Sequence, residues 1–440
     1  SPRSSTGSGQ AKPSPPTAGT GHTDPKAART VVASVTYKVV PVPTSPHIGP
    51  QLVRHRRRRA LTQEELAAAA GVSVDVVRRL EQGRRTSARL STLDALASAL
   101  ECSTAALFTP EERIAAEPFL TVDGIRHALT APEALGLADP VEPTPADPAE
   151  LREQMRRVWA LYQDGAYTQV TVRLPELISQ ARAAAREGGA DAQVQAEGVL
   201  ATAYQAAAGL AITLGHKDLA FLAVERAMAA ARASGSHLHY AAAANFLSWV
   251  YRRQGRLDDA EKIATRAAEA VEPPWSGANE EELAVFGALL INAAGAAARS
   301  GGARRCRDLT AVARSAAERL GHNQIDQWAV FGPGVVAMTA VNDAVELDDL
   351  DLAHHLIGQR PTTRGVPASW RARYLLNCAH TRVELRHDQQ ATAALLEAHR
   401  IAPEWVRYHP QTHTTMQTLL ERGNGRRTPD LVGLAHRLEV

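Results

Sequence analysis

One stretch, Leu61 to Arg85, LTQEELAAAAGVSVDVVRRLEQGRR, constrains this chain more than any other. Thr62 with Glu65 three residues later forms a capping box, in which each side chain closes an orphan backbone donor of the other, so a helix starts at Gln63. Gly71 accepts the positive φ of a sharp turn, and the small Ala67 four residues earlier lets a second helix approach. Ser73 caps that second helix. If the two helices cross, Leu66, Ala70, Val72, Val77 and Leu80 point inward, which leaves Val74, Asp75, Arg78 and Arg79 outward. Two short helices, a tight turn and an arginine-bearing outer face follow from these residues alone.

Over about Ile48 to Phe108 the sequence resembles the Xre family, the helix-turn-helix group of the lambda and 434 repressors and Cro. The likeness rests on L-T-Q-E-E-L-A, A-x-x-x-G-V-S and R-x-L-E-Q-G. It implies a five-helix DNA-binding domain, a double-stranded DNA operator as partner, and a homodimer. In that family a glutamine at the position of Gln63 contacts a phosphate, and base edges are read from the positions of Val74, Asp75 and Arg79. An arginine can fork onto guanine O6 and N7, an aspartate can accept from cytosine N4, and a valine can touch a thymine methyl. Many members carry Gln, Ser or Thr at the first two of these positions, so a glutamine-type adenine contact is not expected. Gln82, Arg84 and Arg89 match positions that hold the DNA backbone or minor groove, and Arg56 with Glu81 matches a structural pair. Arg78 joins the DNA-facing set.

Charge supports that placement. Residues 1–109 carry 15 Lys and Arg against 7 Asp and Glu, whereas the remainder carries 34 against 40. Residues 1–46 are rich in Ser, Pro, Gly and Thr and read as a disordered arm without a dedicated role; there is no methionine before Met155. Residues 47–108 form the DNA-binding domain, with Leu93, Leu96 and Leu100 as its far wall. Residues 109–146 collect six prolines, with a seventh at Pro148, and read as a linker with one short helix around Val122 to Leu129. Three cysteines without a C-x-x-C support neither a disulfide framework nor a zinc site. No signal-peptide core appears, and the longest apolar run is read near Trp328 to Val341, so a cytoplasmic protein off the membrane is expected.

From residue 147 to 440 the pattern is helical and alanine-rich. Aromatics make up only 5% of the chain, so alanine must do much of the packing, which favours close helix-on-helix contact. Turn signals at Gly165, Gly215, Gly255, Gly301, Asp348 and Arg386 are each followed five residues later by Val170, Ala220, Ala260, Cys306, Ala353 and Ala391. A small apolar residue one turn past each corner lets a second helix pack on the first. The segment resembles a divergent tetratricopeptide-like α-solenoid of six helical pairs with a cap helix begun by Thr428 and Pro429, and its tail from Trp370 resembles actinobacterial Xre regulators. The expected fold is therefore all-α, a lambda-repressor-like domain followed by a solenoid.

Chemistry-bearing motifs are missing from this sequence: there is no G-x-x-x-x-G-K-[ST], G-x-G-x-x-G after a strand, or H-E-x-x-H. Pro410 between His409 and His413 makes a shared helix face, and hence a metal site, doubtful. No enzyme, cofactor or metal is expected. Asn245, Trp249, Asn292, Asn342 and Asn377 fall on the first helices of successive pairs, which line the concave face of such arrays. Asparagines there can clamp the amides of a peptide effector, or alternatively bond helix to helix; Trp249 alone is more often core. Of the residues, Asn245, Trp249, Asn292 and Asn377 are the effector candidates, for a peptide first and a small apolar molecule second. The leading expectation is a dimeric transcriptional regulator with a sensing or dimerising solenoid; the alternative is an interaction scaffold tethered to DNA.

Overall fold

The computed structural model describes residues 48–59, 61–85, 88–100, 102, 104, 107, 120–131, 146–274, 276–422 and 429–438. The arm, residues 108–119 and 132–145, and Thr428 lie outside them. Four helices build the N-terminal domain: α1 (Ile48–Arg58), α2 (Gln63–Ala70), α3 (Val74–Glu81) and α4 (Leu90–Ala99). A fifth, expected at residues 103–108, falls mostly outside the described residues, but Leu107 is buried in this domain's core.

The local signals act as the sequence suggests. Thr62 accepts from the Glu65 backbone while Glu65 reaches back to Thr62, Gly71 ends α2 at φ 64°, and Ser73 accepts from Val76 N. Leu66, Val77 and Leu80 are fully buried, each contributing about 1.5–3 kcal/mol. Leu93, Leu96 and Leu100 close the other side.

The larger part is an all-helical array. A short helix α5 (Asp123–Thr130) lies in the proline-rich stretch and inserts Val122, Ile125 and Leu129 into the main core, so this part of the expected linker is packed. Six pairs follow: α6 (Pro148–Gln163) with α7 (Tyr167–Glu187), α8 (Ala190–Thr213) with α9 (Lys217–Ala233), and α10 (His237–Arg253) with α11 (Leu257–Ala270). Then come α12 (Glu280–Arg299) with α13 (Ala303–Leu320), α14 (Pro333–Glu346) with α15 (Leu350–Gly358), and α16 (Ala368–Glu384) with α17 (Asp388–Ile401). All six corners are left-handed: φ is 76° at Gly165, 88° at Gly215, 81° at Gly255, 84° at Gly301, and 64° at both Asp348 and Arg386. The residue five past each corner is buried, from Val170 to Ala391.

Three features go beyond the sequence reading. A further pair, α18 (Pro403–Tyr408) and α19 (Pro410–Arg422), precedes the cap helix α20 (Pro429–Leu438). Pro410 is tolerated because it opens α19, where its missing N–H would have no partner anyway. His409 stacks on Trp405 and His413 engages the Arg407 carbonyl, so the two histidines serve different contacts. Second, the loop between α13 and α14 forms a small hairpin, β1 (Gln324–Ile325) against β2 (Val330–Phe331). Phe331 from it fills a socket over Gly287 on α12, where a Cβ would meet the ring at 2.0 Å.

Third, the array closes on itself. The first corner meets the last pair: Ser369 Oγ donates to the Gln163 carbonyl, Trp370 Nε1 to Gln163 Oε1 at 3.2 Å, and Thr168 N to Glu404 Oε2 at 2.7 Å. The hairpin loop also crosses inward, its Asp326 carbonyl accepting from Trp159 Nε1 at 2.8 Å. The expected groove is thus a deep pocket walled by both ends of the array, still open to solvent on one side. The one described helix long and apolar enough to cross a membrane, α12, is almost wholly buried by its neighbours, and it replaces Trp328 to Val341 as the most apolar segment.

Candidate nucleic-acid interface and central cavity

On the N-terminal domain, α3 presents Asp75, Arg78 and Arg79 to solvent, continued by exposed Gln82 and Arg84. Asp75 pairs with Arg79 at 2.8 Å one turn along, and Arg78 lies 3.9 Å from Glu64. Val74 is half-buried against the domain core rather than fully outward, because the first turn of α3 leans on α2. Gln63 is also partly inward: its Nε2 donates to Glu81 Oε2 at 2.6 Å. Arg56 clamps the same carboxylate through Nε and Nη2, at 2.6 and 3.0 Å. This fork raises the Arg56 pKa through the hydrogen bond to Glu81 and ties α1, α2 and α3 together.

The opposite side of the domain rests on the helical ring. Asp94 of α4 is almost wholly buried and accepts from Arg299 at 2.6 Å, from Arg253 at 3.3 Å and from the Thr104 hydroxyl. Burial alone would raise its carboxyl pKa, but Arg253, Arg299, Thr104 and Lys217 together outweigh that and hold it below its ordinary value. Lys217 Nζ donates to Ser98 Oγ at 2.7 Å, and Arg89 pairs with Asp348 at a corner of the ring. Arg89 is therefore engaged with the ring, not free for DNA as the sequence placed it. Arg253 and Arg299 are the C-terminal residues of α10 and α12, where cations suit the helix dipole.

The same arginines line a cavity of about 220 Å³ walled by the first helices of the pairs, the hairpin loop, α18, α19 and α4. Asn245, Trp249, Asn292, Asn342 and Asn377 all border it. Two couples of asparagines bond each other between neighbouring helices: Asn292 Nδ2 donates to the Asn245 carbonyl at 2.8 Å and to its Oδ1 at 3.0 Å, and Asn377 Nδ2 to Asn342 Oδ1 at 3.4 Å. The helix-to-helix role weighed in the sequence is thus present at the cavity wall. Trp249 packs its edge on Phe246 at 6.0 Å between centroids.

The family-model match falls on the N-terminal domain. Residues 53–107 match the family model described as Helix-turn-helix. No curated protein matches the chain significantly. Among solved structures, PlcR of Bacillus thuringiensis, in complex with the peptide PapR7 and DNA, is similar at 13% identity and a TM-score of 0.33, covering 72% of this chain and 96% of that one.

What the sequence did not single out is how the helix-turn-helix segment is carried. Asp94, Arg253, Arg299 and Lys217 come from four helices far apart in the chain, and no spacing joins them. A signal did exist: Asp94 is the one charged residue between Leu90 and Leu100, in a segment otherwise apolar or small. A charge there needs a buried partner.

Proposed function

We propose that the protein is a DNA-binding transcriptional regulator of the cytoplasm, acting by binding and not by catalysis, in which the helical ring senses an effector and sets the pose of the helix-turn-helix head. In this reading Asp75, Arg78 and Arg79 face the major groove, with Arg79 on a guanine edge. Gln82 and Arg84 hold the flanking backbone. Gln63 and Val74 act at the margin, since one is bonded to Glu81 and the other leans on the core. Two copies bind an inverted repeat with half-sites about one helical turn apart, because both recognition helices must enter the groove on one face of the duplex.

The observation that carries the sensing role is the Asp94 cluster: the arginines that seat the head, Arg253 and Arg299, are also walls of the cavity. An occupant that prefers one arrangement of these side chains changes the population of docked heads by its differential affinity. The effector is a peptide or a small molecule bordered by Asn245, Trp249, Asn292 and Asn377. The test begins with duplexes selected by the full chain from a random library, followed by operator binding with and without cell extract for the native protein and a folded Asn245→Ala, Asn292→Ala double variant. A ligand-dependent change in the native protein that is lost in the variant supports the reading. A stable hetero-complex with no ligand effect on DNA binding supports instead a scaffold tethered to DNA.

A further inference from the structure

Two properties of the cavity wall narrow its ligand, an inference that rests on the sensing role just proposed. The first is aromatic. Five of the chain's six tryptophans border this one space, Trp159, Trp249, Trp328, Trp370 and Trp405, although aromatics are only 5% of the residues. An apolar cavity of about 150 Å³ is enough to take up benzene, and this one, at about 220 Å³, has room for a ring and a polar substituent.

The second is a surplus of positive charge at one place in the wall. Arg253 and Arg299 are committed to Asp94, and Arg89 to Asp348. Arg252 is different. It is buried, it borders the cavity, and among the described residues its guanidinium makes no hydrogen bond or ion pair. Its guanidinium lies over α12 in a gap kept open by Gly295, where a Cβ would meet Nη1 at 2.2 Å. Arg373 stands in the same wall with a single bond, to Asn342 Oδ1 at 3.2 Å. The facing acids offset this pair only in part: Glu346 lies 3.8 Å from Arg299, and burial raises the Asp343 carboxyl to about 6, so it is anionic at neutral pH but forms no ion pair with Arg252. Burial also pushes the Arg252 guanidinium down to about 9, with Arg373 and Arg299 adding repulsion and Asp343 and Glu346 offsetting this only in part, so it stays cationic at neutral pH. A buried cation left unpaired in a polar wall is what an incoming anion would neutralise.

We infer that the cavity binds a small planar aromatic carboxylate, its ring among the tryptophans and its carboxylate on Arg252 and Arg373. The carboxylate takes the charge-assisted bonds that Arg252 lacks, and the ring takes the apolar remainder of the space.

The test uses the full chain without DNA, so that it stands apart from the regulatory reading. Tryptophan fluorescence and thermal melting are followed on titration with benzoate, salicylate and indole-3-carboxylate, each against its neutral carboxamide. At least one carboxylate should quench the fluorescence and raise the melting temperature, and its carboxamide should bind about 10- to 100-fold more weakly. Arg252→Gln should lose the same factor while melting no lower than the native protein, because removing an unpaired buried charge relieves a cost. A purely structural Arg252 would show the reverse, a lower melting temperature. Gly295→Ala, which displaces the guanidinium, should weaken the carboxylate but not the carboxamide. The inference is overturned if no carboxylate binds at millimolar concentration, if carboxamides bind as well, or if Arg252→Gln leaves affinity unchanged. Tight carboxylate binding that leaves operator affinity untouched would keep this site and sink the sensing role.

Discussion

Glu81 is bonded to both Arg56 and Gln63, so the base of the recognition helix is fixed by one shared carboxylate before any DNA arrives. Asp75 similarly holds Arg79, a surface pair worth little in stability but able to pre-order the arginine. Arg79→Ala should cost about 1–3 kcal/mol on the best operator and relax preference at one base pair per half-site, as read by competition binding. Full retention of sequence preference would show that Arg79 reads no base. Asp343 supplies a pH signature. Burial raises its folded pKa to about 6, against about 3.9 when unfolded, so its proton is held more tightly in the folded state. That stabilisation is complete below the unfolded value and is lost as pH rises through about 6. Between pH 7 and pH 5 the native protein should therefore gain about 1 kcal/mol relative to Asp343→Asn in urea unfolding. An identical pH response of the two proteins would place Asp343 in a wetter site than the one described.

At the scale of elements, the corners were the most legible part of the chain. Gly165, Gly215, Gly255 and Gly301 announce a left-handed turn by their residue type, and Asp348 and Arg386 do so only through the small residue that follows five positions on. Gly255→Ala should cost about 1 kcal/mol, since φ is 81° there and a Cβ would touch nothing within 4 Å, leaving backbone strain alone. Gly358→Ala, on a helix and equally unobstructed, should stabilise by about 0.5–1 kcal/mol. Chemical denaturation of the two variants checks both signs; a neutral Gly255→Ala would remove strain as the reason for glycine at the corners. The helices α8 and α12 carry weak periodicity because they are buried on nearly every side, so no polar face marks their orientation. The hairpin 324–331 left no readable strand pattern, since each strand is two residues long and its meaning lies in Phe331 finding Gly287 across the fold. Likewise the asparagines were legible as cavity residues by their place on first helices, but their mutual bonds depend on how α10, α12, α14 and α16 are set side by side.

For the whole molecule, ring closure and head docking turn separate segments into one mechanical unit, and neither is written in any local stretch. Closure depends on contacts between residues some 200 positions apart, such as Gln163 with Trp370. Docking depends on a buried acid meeting arginines from two helix ends, and breaking such a cluster by removing one partner costs about 3–5 kcal/mol. A docked head has a fixed bearing, whereas a released head searches many, so docking should be visible in the geometry of the DNA that two heads can bridge. The most direct measurement is binding of the full chain to a series of inverted repeats whose half-site separation increases one base pair at a time, for the native protein and for an Asp94→Ala variant with native circular dichroism. The account predicts a sharp optimum near one helical turn, or a multiple of it, for the native protein. It predicts a weaker, broadened dependence for Asp94→Ala with single half-site binding unchanged. A native protein indifferent to spacing, or a variant with the same sharp optimum, would contradict it.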